Sequence, residues 1–178
     1  MERREHLESS SPELSGDDGE PPESPYQVLI ANQQSALPLD EPKLINAVRS
    51  VFEESQLQSA SISLALVDDP TMHELNREYL DHDYPTDVLS FVLECDGTHV
   101  VGQLIASVDT AVENAGQYGW TPTEELLLYV VHGSLHLVGY DDRQPEEREA
   151  MREAESAHLH KLGIEVPASH HAVAEERA

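Results

Sequence analysis

The hydrophobic and polar positions divide this chain into alternating strand-like and helix-like segments. Short apolar runs bounded by turn residues predict strands at 26–32, 61–67, 88–94 and 100–107. Apolar residues spaced three and four positions apart predict helices at about 41–54, 69–79, 109–118, 121–138 and 145–162, with Asp109 as the cap of the third. The turn at Asp96-Gly97 is short, so the third and fourth strands should form an antiparallel hairpin. The pattern predicts an α+β fold, in which a small mixed sheet of four strands packs against a central buried helix and several further helices.

The periodic segments occupy the middle of the 178-residue chain. Residues 1–24 are rich in Glu, Ser, Pro, Gly and Asp and lack apolar periodicity, which predicts a disordered acidic tail. Residues 25–164 are predicted to form a single domain and residues 165–178 a flexible tail, because 39% hydrophobic residues suffice for one compact core. Neither a long apolar run nor a signal-peptide pattern is found, so we expect a cytoplasmic protein.

Acidic residues outnumber basic ones by 35 to 10, which gives a formal net charge of −25 at pH 7. Proteins that hold RNA by its phosphates usually present a basic face, so this composition argues against long-range attraction of free RNA. The simplest interpretation of the charge is a surface that keeps the protein soluble. Trp120 and the tyrosines do not cluster with basic residues, so no stacking platform for single-stranded RNA is expected. The single cysteine, Cys95, is expected to be a small packed or edge residue.

The strongest helix signals lie between Thr121 and Asp142. Thr121 is suited to the N-cap, Pro122 to the first helical position, and Glu124 to closing a capping box. The apolar run that follows predicts a helix buried on most sides, and Gly139 can take the left-handed conformation that ends a helix. The sequence therefore predicts one buried helix with a sharp stop.

Three potential metal ligands lie on and just after this helix. His132 and His136 are four residues apart and so share one helix face, and a turn at Gly139 would bring Asp142 to the same side. Two nitrogens, one carboxylate and an open position suit catalytic zinc, although two buried histidines can also be hydrogen-bonded core residues. The spacing is similar to that of metzincin proteases, but Gly133 stands where those enzymes carry their glutamate base, which argues against protease chemistry.

Two motifs resemble one known family. Residues 132–142, HGSLHLVGYDD, are similar to the H-G-x-L-H-L-x-G-Y-D-H signature of the YbeY family of bacterial endoribonucleases. Leu75-Asn76, followed by PTDVLSF at residues 85–91, is similar to the L-N-x-x-Y-R…P-T-D-V-L-S-F block of the same family. With the order of elements around these motifs, the resemblance extends from about residue 62 to residue 163.

The resemblance implies a zinc-dependent endoribonuclease that acts in ribosomal RNA maturation and ribosome quality control. Residues 25–164 would be a YbeY-like domain with the α+β fold, carrying one zinc ion per chain on His132, His136 and Asp142. The implied partners are ribosomal RNA and ribosome components, with no role for a membrane or for DNA. The oligomeric state stays open.

Three positions depart from the family pattern. Asp142 replaces the third histidine, Leu80 replaces the arginine that follows Tyr79, and Gln103 replaces an aspartate. Leucine cannot contact a phosphate as arginine does, so these changes argue against full nuclease activity. They favour a second hypothesis, a ribosome-associated binding factor with structural zinc and little nuclease activity. A third hypothesis is a metal-dependent hydrolase of another substrate.

The residues that carry out catalysis are not identified by the sequence. His132 and Asp141 are candidates, Asp141 as a residue that orients a metal ligand. By the resemblance, Thr86, Asp87 and Ser90 lie near the substrate groove. Asp87 is equally suited to capping the turn before the third strand.

Overall fold

The computed structural model describes residues 24–80 and 86–167. The predicted tails at 1–24 and 165–178 lie almost entirely outside these residues. In the described part, the strands are β1 (Tyr26–Asn32), β2 (Ser59–Val67), β3 (Val88–Cys95) and β4 (His99–Ser107). The helices are α1 (Glu41–Glu53), α2 (Asp69–Leu80), α3 (Val108–Tyr118), α4 (Pro122–Leu137) and α5 (Pro145–Lys161). The predicted elements are thus confirmed, with small shifts of their ends.

The four strands form one mixed sheet in the order β1-β2-β4-β3. The β1–β2 and β2–β4 pairs are parallel, and β3 pairs antiparallel with β4. The predicted hairpin is therefore confirmed, and β3 is an edge strand whose register with β4 shifts between Val92 and Glu94. Cys95 ends this edge strand and is exposed. The α+β prediction of a small mixed sheet with helices is correct.

Helix α4 is the centre of the molecule. It contacts α1, α3 and α5, and it lies on β3 and β4. Most of its residues are buried, and its side chains join those of α1, β2 and β4 in the main core. Because α4 is enclosed by other elements, the side chains at its C-terminal end have defined surroundings.

Glycine allows α4 to approach the sheet closely. A Cβ atom on Gly133 would lie 2.9 Å from Leu104 Cδ2 and 3.0 Å from Val88 Cγ2. One turn further, a Cβ atom on Gly102 of β4 would lie 2.9 Å from Leu137 Cδ1. A glutamate at position 133, as in a metzincin, would therefore collide with β3 and β4.

One predicted cap is wrong. Ser107, not Asp109, is the N-cap of α3, and its Oγ accepts a hydrogen bond from Thr110 N at 3.2 Å. Asp109 instead accepts from the backbone N–H of Asp69, at 3.0 Å, and so ties α3 to the start of α2. Among the described residues, none of the helices combines the length and hydrophobicity needed to cross a membrane.

Candidate metal centre

The two ends of α4 are fixed by local hydrogen bonds. Thr121 and Glu124 form the predicted capping box, with Glu124 Oε2 accepting from Thr121 N at 2.8 Å. At the other end, Gly139 has a φ of +101° and Tyr140 N donates to Leu135 O at 3.0 Å. This left-handed turn reverses the chain, so that residues 140–142 return toward the helix they have just left.

The reversal brings three donor side chains together. His132 Nε2 and His136 Nε2 are 3.0 Å apart. Asp142 Oδ2 lies 3.8 Å from the first of these nitrogens and 3.9 Å from the second. One ligand atom from each residue lies within 4.8 Å of the other two, a separation that one ion can bridge.

Each imidazole is oriented through its other nitrogen. His132 Nδ1 is 2.6 Å from Oε1 of Glu155, a buried residue of α5. His136 Nδ1 is 3.0 Å from the carbonyl oxygen of Tyr140. A carboxylate and a carbonyl only accept hydrogen bonds, so in the neutral form of each ring Nδ1 carries the proton and Nε2 presents a lone pair.

The arrangement of these lone pairs shows whether a metal ion suits the site. Two unprotonated nitrogens at 3.0 Å repel each other unless a proton or a cation lies between them. Asp142 adds a negative charge to the same point, and histidines held at Nδ1 by an acceptor are the usual arrangement of zinc-binding imidazoles. The donor set therefore fits a divalent cation such as zinc.

The charges around His132 favour a cation. Burial works against its protonation and is the largest single effect, but it is outweighed by the hydrogen bond and charge of Glu155 and by the charges of Asp87 and Asp142. Together these acids raise the pKa of His132. The same negative field that holds a proton here would hold a metal ion.

A cavity of about 340 Å³ opens beside the three donors. Its walls come from β3, from the end of α4 and from the turn after it: Ser90, Val92, His136, Leu137, Tyr140, Asp141, Asp142 and Arg143. Tyr140 and Arg143 thus share one cavity. This corrects the expectation that the tyrosines stand apart from basic residues, because the turn after Gly139 contributes both residues to the walls of the cavity.

The predicted groove residues lie at different distances from this cavity. Ser90 lines it directly. Asp87 Oδ1 accepts from Val88 N at 2.8 Å, as a cap does, and the charge of Asp87 contributes to the raised pKa of His132. Its place beside a substrate groove stays a prediction. Thr86 donates to the same oxygen at 3.1 Å but does not line the cavity. Asp141 lines it and accepts from Asp142 N at 2.8 Å, which supports the candidate role of orienting Asp142.

Two contributors were not found from the sequence. Glu155 lies in the inward stripe of α5 that also contains Met151 and Leu159, and an acid at such a position is a sign of a buried partner. Arg148 donates through Nη1 to the carbonyl oxygens of Asp142, at 3.3 Å, and Arg143, at 3.2 Å. It thereby fixes the backbone of the turn, a contact that only the docking of α5 reveals.

Comparison with known proteins gives consistent matches. The family model described as Endoribonuclease YbeY matches residues 29–163. The chain is 54% identical over 111 residues to the Endoribonuclease YbeY of Rhodopirellula baltica, covering 61% of this chain and 57% of that relative. It is 37% identical over 150 residues to the Endoribonuclease YbeY of Salinibacter ruber, covering 80% of this chain and 96% of that relative. The solution structure of TM1509 from Thermotoga maritima matches with a TM-score of 0.51 and 27% identity, over 75% of this chain and 86% of that one.

Proposed function

The chain belongs to the YbeY family of endoribonucleases, and from this membership we propose that it is a zinc-dependent endoribonuclease of ribosomal RNA maturation and ribosome quality control, acting in the cytoplasm. The observation that carries the proposal is the pair of facing Nε2 atoms, 3.0 Å apart, with Asp142 beside them. This geometry supports a bound cation next to an open cavity.

His132, His136 and Asp142 would hold one zinc ion per chain. Two imidazoles and a carboxylate with an open fourth position match the ligand types of catalytic zinc. When bound, zinc supplies a Lewis acid that strengthens water as a nucleophile and stabilises negative charge on phosphoryl oxygens. Asp142 in place of a third histidine adds charge to the site, so the acidity conferred on water should be lower than with three neutral ligands.

The neighbouring residues hold these ligands in place. Glu155 fixes the ring of His132, and Asp141 orients Asp142 through its backbone N–H. Both ring nitrogens of His132 are engaged in this arrangement, so we assign it to metal binding and not to proton transfer. Thr86, Asp87 and Ser90 are proposed to border the path of the RNA.

The charge of the chain bears on the substrate. With a net charge of −25, the protein gains no long-range attraction toward free RNA. We therefore propose that it meets ribosomal RNA in ribosomal particles, where a ribosomal component provides the contact. Local recognition would then depend on the residues of the cavity.

Metal content and RNA cleavage, measured on the same samples, test the proposal. Elemental analysis should find about one zinc per chain in the wild type and little in Asp142→Ala, with ribosomal RNA cleavage lost in parallel. Asp142→His, which supplies a neutral nitrogen, should retain zinc. Glu153→Ala, at an exposed position of α5, removes a carboxylate elsewhere and should change neither quantity.

The outcomes separate the hypotheses. Protein prepared without chelator that contains no zinc would contradict the proposal, and the histidines would then be core residues. Zinc without cleavage would favour the ribosome-associated binding factor, whose association with ribosomes should survive Asp142→Ala. Zinc-dependent hydrolysis of a substrate other than RNA would favour the third hypothesis.

A further inference from the structure

The sheet has two edges, and they differ in how they are protected. β1 and β3 are the end strands of the order β1-β2-β4-β3. β3 has an irregular register with β4 and carries the acid Glu94, and both features keep an edge from pairing with another strand. β1 has seven residues, YQVLIAN, and contains neither a charged residue nor a proline. The edge of β1 therefore lacks the protection that β3 has.

The hydrogen bonds between β1 and β2 show which backbone groups of β1 point outward. Ala60 N donates to Pro25 O at 3.1 Å, and Gln33 N donates to Leu66 O at 2.8 Å. In a parallel ladder every second residue of a strand bonds to the same neighbour, so the odd-numbered residues from 25 to 33 bond to β2. The N–H and C=O groups of the even-numbered residues point away from the sheet.

Two of these outward-facing residues lie in the middle of the strand. At one end Tyr26 O accepts from Arg49 Nε of α1 at 3.0 Å, and at the other end the strand stops at Asn32. Val28 and Ile30 remain, and no other strand of residues 24–80 and 86–167 pairs with their outer side. Their side chains pack against the main core, so the backbone of this edge is held in place.

Leu29 lies between these two residues and projects from the opposite face of the strand, away from the main core. It is 76% exposed, more than any other large hydrophobic residue in the described part of the chain. Its neighbour on β2 is Ser63, and the exposed positions on either side of it on the same face, Gln27 and Ala31, are also uncharged. An exposed leucine in such surroundings gains free energy when a partner covers it.

The charge of the chain indicates what kind of partner fits this edge. A basic partner would be drawn to the acidic surfaces of a protein with a net charge of −25, but β1 and the residues of β2 that pair with it include no acid. A second copy of the chain carries the same net charge, so it can approach closely only where the surface is uncharged. A second β1 strand offers such a surface, with the same outward N–H and C=O groups and the same exposed leucine.

We propose that two copies of this chain associate by antiparallel pairing of their β1 strands, with Leu29 at the twofold axis. Val28 of each copy exchanges hydrogen bonds with Ile30 of the other, and the two Leu29 side chains lie directly opposite each other. The two sheets join into one continuous sheet. Because β3, which lines the cavity of the metal centre, is at the opposite edge from β1, both metal centres stay open. The proposal does not depend on the proposed nuclease function.

Disulfide trapping tests the pairing and its register. All variants also carry Cys95→Ser, which removes the exposed native thiol. Leu29→Cys should form a disulfide-linked dimer under mild oxidation, because directly opposed residues of this type have Cα atoms about 4.5 Å apart, within the range of a disulfide. Gln27→Cys is the matched control, since it is exposed on the same face but its counterpart in the second copy would be about 14 Å away. It should crosslink only when it is mixed with Ala31→Cys, the position that it opposes.

Sedimentation velocity of the reduced, full-length chain measures the association itself. One strand pair is a small interface, so we expect a weak dimer that dissociates on dilution. Leu29→Lys should raise the dissociation constant at least about 10-fold, because the leucine contact is lost and two ammonium groups face each other across the axis. Leu93→Lys makes the same change at a 59% exposed position of the other edge strand and should leave the dissociation constant unchanged. Higher salt should strengthen the dimer, since salt screens the repulsion between two acidic copies.

The proposal is wrong if the wild type stays monomeric at every concentration measured, if Leu29→Cys crosslinks no better than Gln27→Cys, or if a folded Leu29→Lys variant dimerises as the wild type does. A monomer in which the amides of Val28 and Ile30 are protected from hydrogen exchange would also contradict it, because another part of the same chain would then cover the edge. RNA cleavage does not enter these measurements, so the dimer and the nuclease function stand or fail separately.

Discussion

Replacing Glu155 with Gln tests how far the metal centre depends on a residue outside the ligand set. The variant keeps the size of the side chain and a hydrogen-bond acceptor for His132 Nδ1, but removes the negative charge. In the wild type this contact is short, 2.6 Å, and buried. Hydrogen bonds with a charged partner are worth about 1.5–3 kcal/mol, roughly twice the neutral value.

The expected change in zinc affinity follows from that difference. Full loss of the contact, as in Glu155→Ala, should raise the zinc dissociation constant about 10- to 150-fold, since about 1.4 kcal/mol corresponds to a factor of ten. Outer partners of metal-binding histidines typically contribute about 10- to 100-fold, in agreement with this value. Glu155→Gln retains a neutral hydrogen bond, so its effect should lie between those of the wild type and Glu155→Ala.

Competition with a zinc-binding dye measures the dissociation constant, and circular dichroism shows whether each variant is folded. Glu153→Gln is the control, because it makes the same chemical change at an exposed position of the same helix. A folded Glu155→Gln protein with the zinc affinity of both wild type and control would refute the argument. The orientation of His132 would then be set by packing alone.

Three further predictions concern stability and are measured by urea or thermal unfolding. Thr121→Ala removes the N-cap of α4 and should cost about 1 kcal/mol, or about 2–4 °C in Tm. Gly133→Ala should lower the free energy of unfolding, because crowding of the new methyl group against the sheet costs about 1–3 kcal/mol and the gain in helix propensity is at most about 1 kcal/mol. Gly116→Ala is the control, because a methyl group there meets open space on α3, and it should raise the free energy of unfolding by about 0.5–1 kcal/mol. Burial and the charge of Lys161 lower the pKa of His158 despite the opposing charge of Glu54. The neutral imidazole therefore stabilises the folded protein at a pH above the ordinary histidine pKa of about 6.5, and this contribution to the free energy of unfolding should be lost as the pH falls through the lowered pKa. The stability difference between wild type and His158→Gln should therefore narrow as the pH falls below about 6.5, and a constant difference would contradict this.

The fold was predictable because its signals are local. The capping box at Thr121 and the glycine at position 139 define α4 without reference to any other element. The spacing of His132, His136 and Asp142 is local as well, so the sequence indicated which donors could meet. Their role as metal ligands remains a prediction that metal analysis must test.

The unpredicted features depend on contacts between distant segments. Glu155 reaches His132 only because α5 docks on α4, and no spacing rule connects the two residues. Asp109 looked like a helix cap because acids favour that position, but Ser107 lies two residues earlier and serves equally well. Asp109 is instead occupied by its contact with the backbone N–H of Asp69 on α2, which leaves Ser107 as the N-cap of α3.

The orientation of His132 depends on α5, which is synthesised after the residues that are proposed to bind the metal. During synthesis His132, His136 and Asp142 leave the ribosome before Glu155 does. A nascent chain that ended between them would contain every proposed zinc ligand, but not the carboxylate that orients the first imidazole or Arg148, which fixes the turn. Tight capture of the metal should therefore be among the last events of folding, which would keep an unfinished nuclease inactive while it is still attached to the ribosome.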